Sequence, residues 1–106
     1  MTNKKILGLI GLSARARKIS FGADSVEFEI KSKKINLIIV AKNASDRTKE
    51  KFIKLAEKYN IPVIIFSEID ELSKAIGKPN KAILGIQDKN IANEIEKINN
   101  GGEVIG

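Results

Sequence analysis

No cysteine and no histidine occur among the 106 residues. Without cysteine there is no disulfide framework and no thiolate nucleophile. Without histidine the chain lacks the usual neutral-pH general base and the commonest zinc ligand. No apolar run approaches the ~18 residues of a membrane-crossing helix. The opening MTNKKILGLIGL pairs a charged start with a short apolar stretch. Ser13 and then Arg15, Arg17 and Lys18 follow, with no small-residue cleavage site that fits, so a signal peptide is not read here. These absences predict a reduced, cytoplasmic protein.

Acid is scarce in one half of the chain only. Residues 1–53 hold 12 Lys and Arg against 5 Asp and Glu, a balance of +7, and residues 54–106 hold 7 against 8, a balance of −1. The net charge of +6 thus belongs to the first half. A small basic domain points to a polyanionic partner such as nucleic acid, and the bland alternative is lysine kept for solubility. A length of 106 residues predicts one compact domain, and 42% hydrophobic residues suffice for one core.

Along the chain, helical and extended patterns alternate. Residues 3–17 put Ile6, Leu7, Ile10 and Ala14 on one helical face, with Asn3 as the expected cap. KISF (18–21) reads as a short extended link and residues 22–34 as a helix, with Val26 and Ile30 on its inner edge. Asp24 suits its positive N-terminus, and Lys31, Lys33 and Lys34 its negative end. INLIIVA (35–41), IPVIIF (61–66) and KAILGI (81–86) are apolar runs that suit strands covered on both faces. Between them, Ser45 and Asp46 are expected to cap a helix whose inner face is Phe52, Leu55, Ala56 and Tyr59. Ser67 is expected to cap one with Ile69, Leu72, Ala75 and Ile76 inward, stopped by Gly77 and Pro79. Asp88 is expected to cap a last helix carrying Ile91, Ala92, Ile95 and Ile98, and NNGG (99–102) reads as a frayed tail. The alternation predicts an α/β sandwich: helices on both faces of a small parallel or mixed sheet. Its functional loops should gather at one end of the strands, at 42–45 and 77–81, with the helix start at 22–25 as a third member.

Few residues suggest catalysis. Glu27 and Glu29 point to different faces of a helix, and Asp70 and Glu71 are adjacent and solvated, so neither makes an acid–base pair. GLIGLS (8–13) lacks the preceding strand, third glycine and Lys-Ser/Thr of a phosphate loop, and the apolar Leu9 and Ile10 sit where a backbone-clamping loop wants cations. The better reading of Gly8 and Gly11 is close helix packing. RARKISFG carries more. Three cations precede a glycine that opens a helix, whose free N–H groups and positive partial charge suit a phosphate. Arg15, Arg17 and Lys18 would then reach neighbouring phosphates. The alternative is that they end the first helix, where its dipole favours cations anyway.

GLSARARKISFGADSV, INLIIVAKNAS and IPVIIFSEIDELSKAIGKPNKAILGI resemble, in order and spacing, the ribosomal protein family that binds kink-turn RNA. G-x-x-x-R-A-R-K at 11–18 points to its bacterial YlxQ-like branch, and L-S-K-A-I-G at 72–77 is the most specific segment. The resemblance spans residues 6 to about 98. It implies a three-layer α/β/α sandwich with a four-stranded mixed sheet, and a non-enzymatic role with RNA. In that family the helix after the glycine reads tandem sheared G·A pairs through Asn-Glu-x-x-Lys. Here Gly22 and Ala23 match, while Asp24, Ser25 and Phe28 stand at the Asn, Glu and Lys positions. An ionised Asp24 only accepts hydrogen bonds where Asn also donates. Phe28 loses the cation but could stack on a base, or simply pack in a core. The resemblance adds the next helix start, with Ser45 and Lys49, and the loop Lys78, Pro79, Asn80 and Lys81 to the expected RNA-facing set, which also includes Lys31 at the basic end of the helix.

Three functions follow as alternatives. An RNA-binding module of the ribosome or of translation predicts binding that weakens steeply with salt. A protein adaptor that has lost base readout predicts an exposed apolar patch around Phe28. A small-molecule enzyme predicts a catalytic cluster in a deep pocket. The expected partners are structured RNA, of kink-turn or rRNA type, and the ribosome or translation factors. No membrane, small-molecule substrate, cofactor or metal is expected.

Overall fold

A computed structural model describes residues 2–101. Nine elements follow one another: α1 (Thr2–Arg15), β1 (Ile19–Phe21), α2 (Ala23–Lys31), β2 (Leu37–Val40), α3 (Asp46–Tyr59), β3 (Val63–Ile65), α4 (Ile69–Ile76), β4 (Ile83–Ile86) and α5 (Lys89–Asn99). The four strands form one sheet in the order β1-β4-β2-β3. β2 and β3 are parallel, with Ile38 opposite Val63, and β4 runs antiparallel to both β1 and β2.

Every residue of β2 and β4 is buried, so both faces of the sheet centre are covered. α2 and α3 pack on each other, α2 against β1 and β4 and α3 against β2 and β3. α1 packs on α4 and α5, and α5 meets β4. The result is a mixed α/β sandwich of three layers, as the alternation of patterns and the resemblance both implied. The core includes Ile6 and Ile10 of α1, Phe52 of α3, Leu72 of α4 and Ile95 of α5, all essentially inaccessible.

Local chemistry sets most boundaries. Ser45 caps α3 by accepting from the Thr48 N–H at 3.2 Å, and Asp88 caps α5 by accepting from the Ile91 N–H at 2.9 Å. Gly77 ends α4 in the left-handed conformation at φ 71°. Gly11 sits where an added Cβ would lie 3.3 Å from the Ala75 carbonyl oxygen, so α1 and α4 approach closely there, whereas Gly8 has no such neighbour within 4 Å.

Four expectations need correcting. KISF is not a link: Ile19–Phe21 is an edge strand, paired with Leu84–Ile86 of β4. Asn3 is not a cap, because α1 is already running at that residue. The second helix stops at Lys31 rather than at residue 34, because Lys33 turns left-handed at φ 63°. Ser67 does not cap α4. It lies at φ 62° and its hydroxyl donates to Glu71, while the Ile69 N–H donates to Asn43 Oδ1 at 2.9 Å. In the tail, Asn99 closes α5 and Asn100 and Gly101 turn after it, and Gly102 lies outside the described residues.

Candidate nucleic-acid interface

β1, β2 and β3 all run the same way, so their C-terminal ends lie at one end of the sheet, with the beginning of β4. The starts of α2, α3 and α4 and the loop 77–82 therefore share that end. Segments 22–25, 42–45 and 77–81 come together there by topology.

The start of α2 is built by Gly22. Its backbone sits at φ 91° and ψ 149°, a region open in practice only to glycine. Its N–H donates to the Ile83 carbonyl at 2.9 Å, which ties the turn to β4. Among the described residues, no side chain caps α2. Its first-turn N–H groups are left to solvent or a ligand, and Ala23, Asp24 and Ser25 are all exposed.

The loop after α4 lies against this turn. A Cβ on Gly22 would be 3.7 Å from Lys81 Nζ. Lys78 Nζ and Lys81 Nζ stand 5.6 and 5.7 Å from the centre of the Phe21 ring. Both lysines thus lie within cation–π range of the Phe21 ring. The loop's course is fixed by the Lys81 N–H donating to the buried Ser73 Oγ at 2.8 Å and by Asn80 at φ 54°. Pro79 and Asn80 remain exposed at its tip.

Other expected residues fall differently. Ser45 caps its helix and also donates to Thr48 Oγ1 at 2.9 Å, so its hydroxyl is engaged within α3. Lys49 is half-buried, one turn in. Arg15, Arg17 and Lys18 do not join the cluster. The Lys18 carbonyl accepts from the Gln87 N–H, just past the far end of β4, so about 13 Å of extended chain separates Lys18 from Gly22. The Arg15 guanidinium folds beside Gly11 on α1. Lys31 lies at the far end of α2 and pairs with Glu27 at 3.2 Å. Lys51 of α3 also pairs with Glu27, at 2.8 Å. Lys51 first and then Lys31 hold the Glu27 carboxyl below its ordinary pKa.

Phe28 is 67% exposed, which removes the core-packing reading. Its neighbours three and four positions away on the helix are Asp24, Ser25, Lys31 and Ser32, all polar, so the ring stands alone on α2 rather than in an apolar patch. Sequence reading missed Phe21, and it reached Lys42 and Asn43 only as part of the loop 42–45. An aromatic residue directly before the helix-opening glycine was the available signal for Phe21. Lys42 and Asn43 are exposed at the same sheet end, and Asn43 is recruited to cap a helix 26 residues away.

Comparison with known proteins agrees with this architecture. The family model described as the Ribosomal protein L7Ae/L30e/S12e/Gadd45 family matches residues 4–96. A protein of Enterococcus faecium named RNA-binding protein YlxQ is 34% identical over 99 residues, 92% of this chain and 94% of its own. The Bacillus subtilis (strain 168) protein of that name is 28% identical over 95 residues, 90% of this chain and 95% of its own. Among solved structures, a Bacillus halodurans protein of unknown function superposes with a TM-score of 0.86 at 30% identity, over 89% of this chain and 95% of the other. A Giardia lamblia 15.5kD RNA binding protein shares the fold with a TM-score of 0.79 at 18% identity, over 99% of this chain and 90% of its own. The chain belongs to the ribosomal protein L7Ae/L30e/S12e/Gadd45 family, in its YlxQ-like branch.

Proposed function

We propose that the chain is a non-enzymatic RNA-binding protein of the cytoplasm, working with the ribosome or translation factors and holding structured RNA where α2, α3 and α4 begin. The observation that carries the reading is the uncapped, glycine-opened start of α2 set beside Phe21, Lys78 and Lys81. Backbone N–H groups and two ammonium groups converge on one spot, which suits a phosphate backbone bent tightly enough to approach a helix start. The names of the Enterococcus and Bacillus relatives support the same class of ligand.

Base readout is altered. Asp24 accepts from base amino and imino groups but donates to none, and Ser25 reaches less far than a glutamate. Recognition then leans on backbone and shape, through Gly22, Lys78 and Lys81. The test is a binding comparison between a kink-turn RNA and a matched duplex lacking the internal loop, at low and moderate salt. We expect preference for the kinked RNA and a steep loss of affinity with salt. Absence of binding at micromolar protein, or affinity indifferent to salt, would sink the reading.

A protein-adaptor role draws on the exposed Phe28 ring. It predicts that a pull-down recovers a protein partner after nuclease treatment and that Phe28→Ala abolishes the recovery.

A further inference from the structure

α3 gathers four of its five cations on one side, the fifth, half-buried Lys49, lying beyond the acid flank. Arg47, Lys51, Lys54 and Lys58 recur at i, i+4, i+7 and i+11, all exposed. At 3.6 residues per turn they fall within about 60° of arc, on a line about 16 Å long. The acids of the helix, Asp46, Glu50 and Glu57, fall within about 40° on the adjoining flank. Lys51 reaches Glu27 of α2, so the cations face the α2 side. Glu57 lines a groove with Ile53, Pro62 and Val63, so the acids face the β3 edge. Among the described residues, Lys51 is the one member of the row with an ion-pair partner, and that partner is shared with Lys31.

The row also has a direction. Arg47 stands in the first turn of α3, at the sheet end that holds the uncapped start of α2, and Lys58 stands in the last. A straight file of cations of this length matches successive phosphates along one strand and is too long for a single anion. We propose that one arm of the bound RNA leaves the sheet end along α3, with Arg47, Lys51, Lys54 and Lys58 following its phosphate backbone. This extension rests on the RNA reading above.

The test uses the full chain and three RNAs: a kink-turn RNA, and the same RNA with each arm cut back in turn. The variant is Lys54→Gln with Lys58→Gln, at the end of the row remote from the α2 start. On the intact RNA the variant should bind about tenfold more weakly, with the slope of log affinity against log salt reduced by about two. Cutting one particular arm should remove the difference between variant and wild type. An unchanged unfolding midpoint establishes that the variant is folded. Equal affinity and slope for variant and wild type on the intact RNA would overturn the proposal, as would an equal loss on all three RNAs. A wild type that binds none of them overturns the RNA reading and this extension together.

Discussion

α2 and α3 begin at the same end of the same sheet, after two strands that run the same way, and they begin in opposite ways. α3 closes its first turn with the Ser45 hydroxyl on the Thr48 N–H. α2 opens on Gly22, with no side chain over its N–H groups, and sets Phe21 and two lysines beside the opening. A cap stabilises a helix by satisfying donors that would otherwise need water. Leaving them free forgoes that stabilisation and keeps them available to a ligand. The difference separates a start built for folding from one built for contact.

The largest effect should come from Gly22→Ala. Space is available, since the nearest atom to the new Cβ is Lys81 Nζ at 3.7 Å, but the backbone conformation is not. We expect a loss of about 1–3 kcal/mol in chemical denaturation, with RNA affinity falling as the turn shifts. Next, Lys78→Gln with Lys81→Gln should leave the unfolding midpoint near wild type. It should weaken RNA binding by about tenfold or more and reduce the salt slope by about two. Unchanged affinity there would mean that the open start of α2 is not an RNA contact. Ser45→Ala should do the reverse, costing about 1 kcal/mol of stability with RNA affinity held. If Ser45→Ala also cost affinity, the two starts would be less distinct than the hydrogen bonds imply.

How far this contrast could be read from sequence depends on where its partners lie. The Ser45 and Asp88 caps were legible because donor and acceptor are three residues apart. β2 and β4 were legible as apolar runs covered on both faces, whereas β3 was legible as a strand only: it stands at the sheet edge and leaves Ile65 exposed instead of covered. β1 was not, because three residues give a period of two no room to show, and its identity as a strand comes from β4, more than 60 residues on. The cap of α4 was misassigned to Ser67 because the true acceptor, Asn43, comes from another loop. The site divides the same way. Gly22 was found from its place before a helix, while the lysine pair around Phe21 arises from tertiary contact. Arg15, Arg17 and Lys18 were grouped with Gly22 by proximity in the chain, and an extended β1 separates them.

Asp24→Asn tests the contact reading more gently, through two opposed changes. The carboxylate in the first turn of α2 favours the helix dipole, so its loss should lower stability by about 0.5 kcal/mol. The amide restores a donor and removes a negative charge from a surface that faces phosphates, so affinity for a kink-turn RNA should rise a few-fold in a titration at fixed salt. A fall in affinity instead would show that the carboxylate itself reads a donor on the RNA.

The smallest effect concerns the surface link between the two helices. Lys51 of α3 and Lys31 of α2 both hold the Glu27 carboxylate, and they favour its charged form. Its folded pKa therefore lies below the unfolded 4.5. The sign of the linkage follows: the stabilisation is present above pH 4.5 and is lost as the pH falls through the lowered folded value. Glu27→Gln should lower the thermal midpoint slightly near neutrality and flatten its decline on acidification, so that the two proteins converge in acid. The carboxylate is half-buried but at the surface, so added salt should narrow the neutral-pH difference by screening the pair. A difference that persists undiminished in acid would mean that Glu27 joins α2 to α3 by packing rather than by charge.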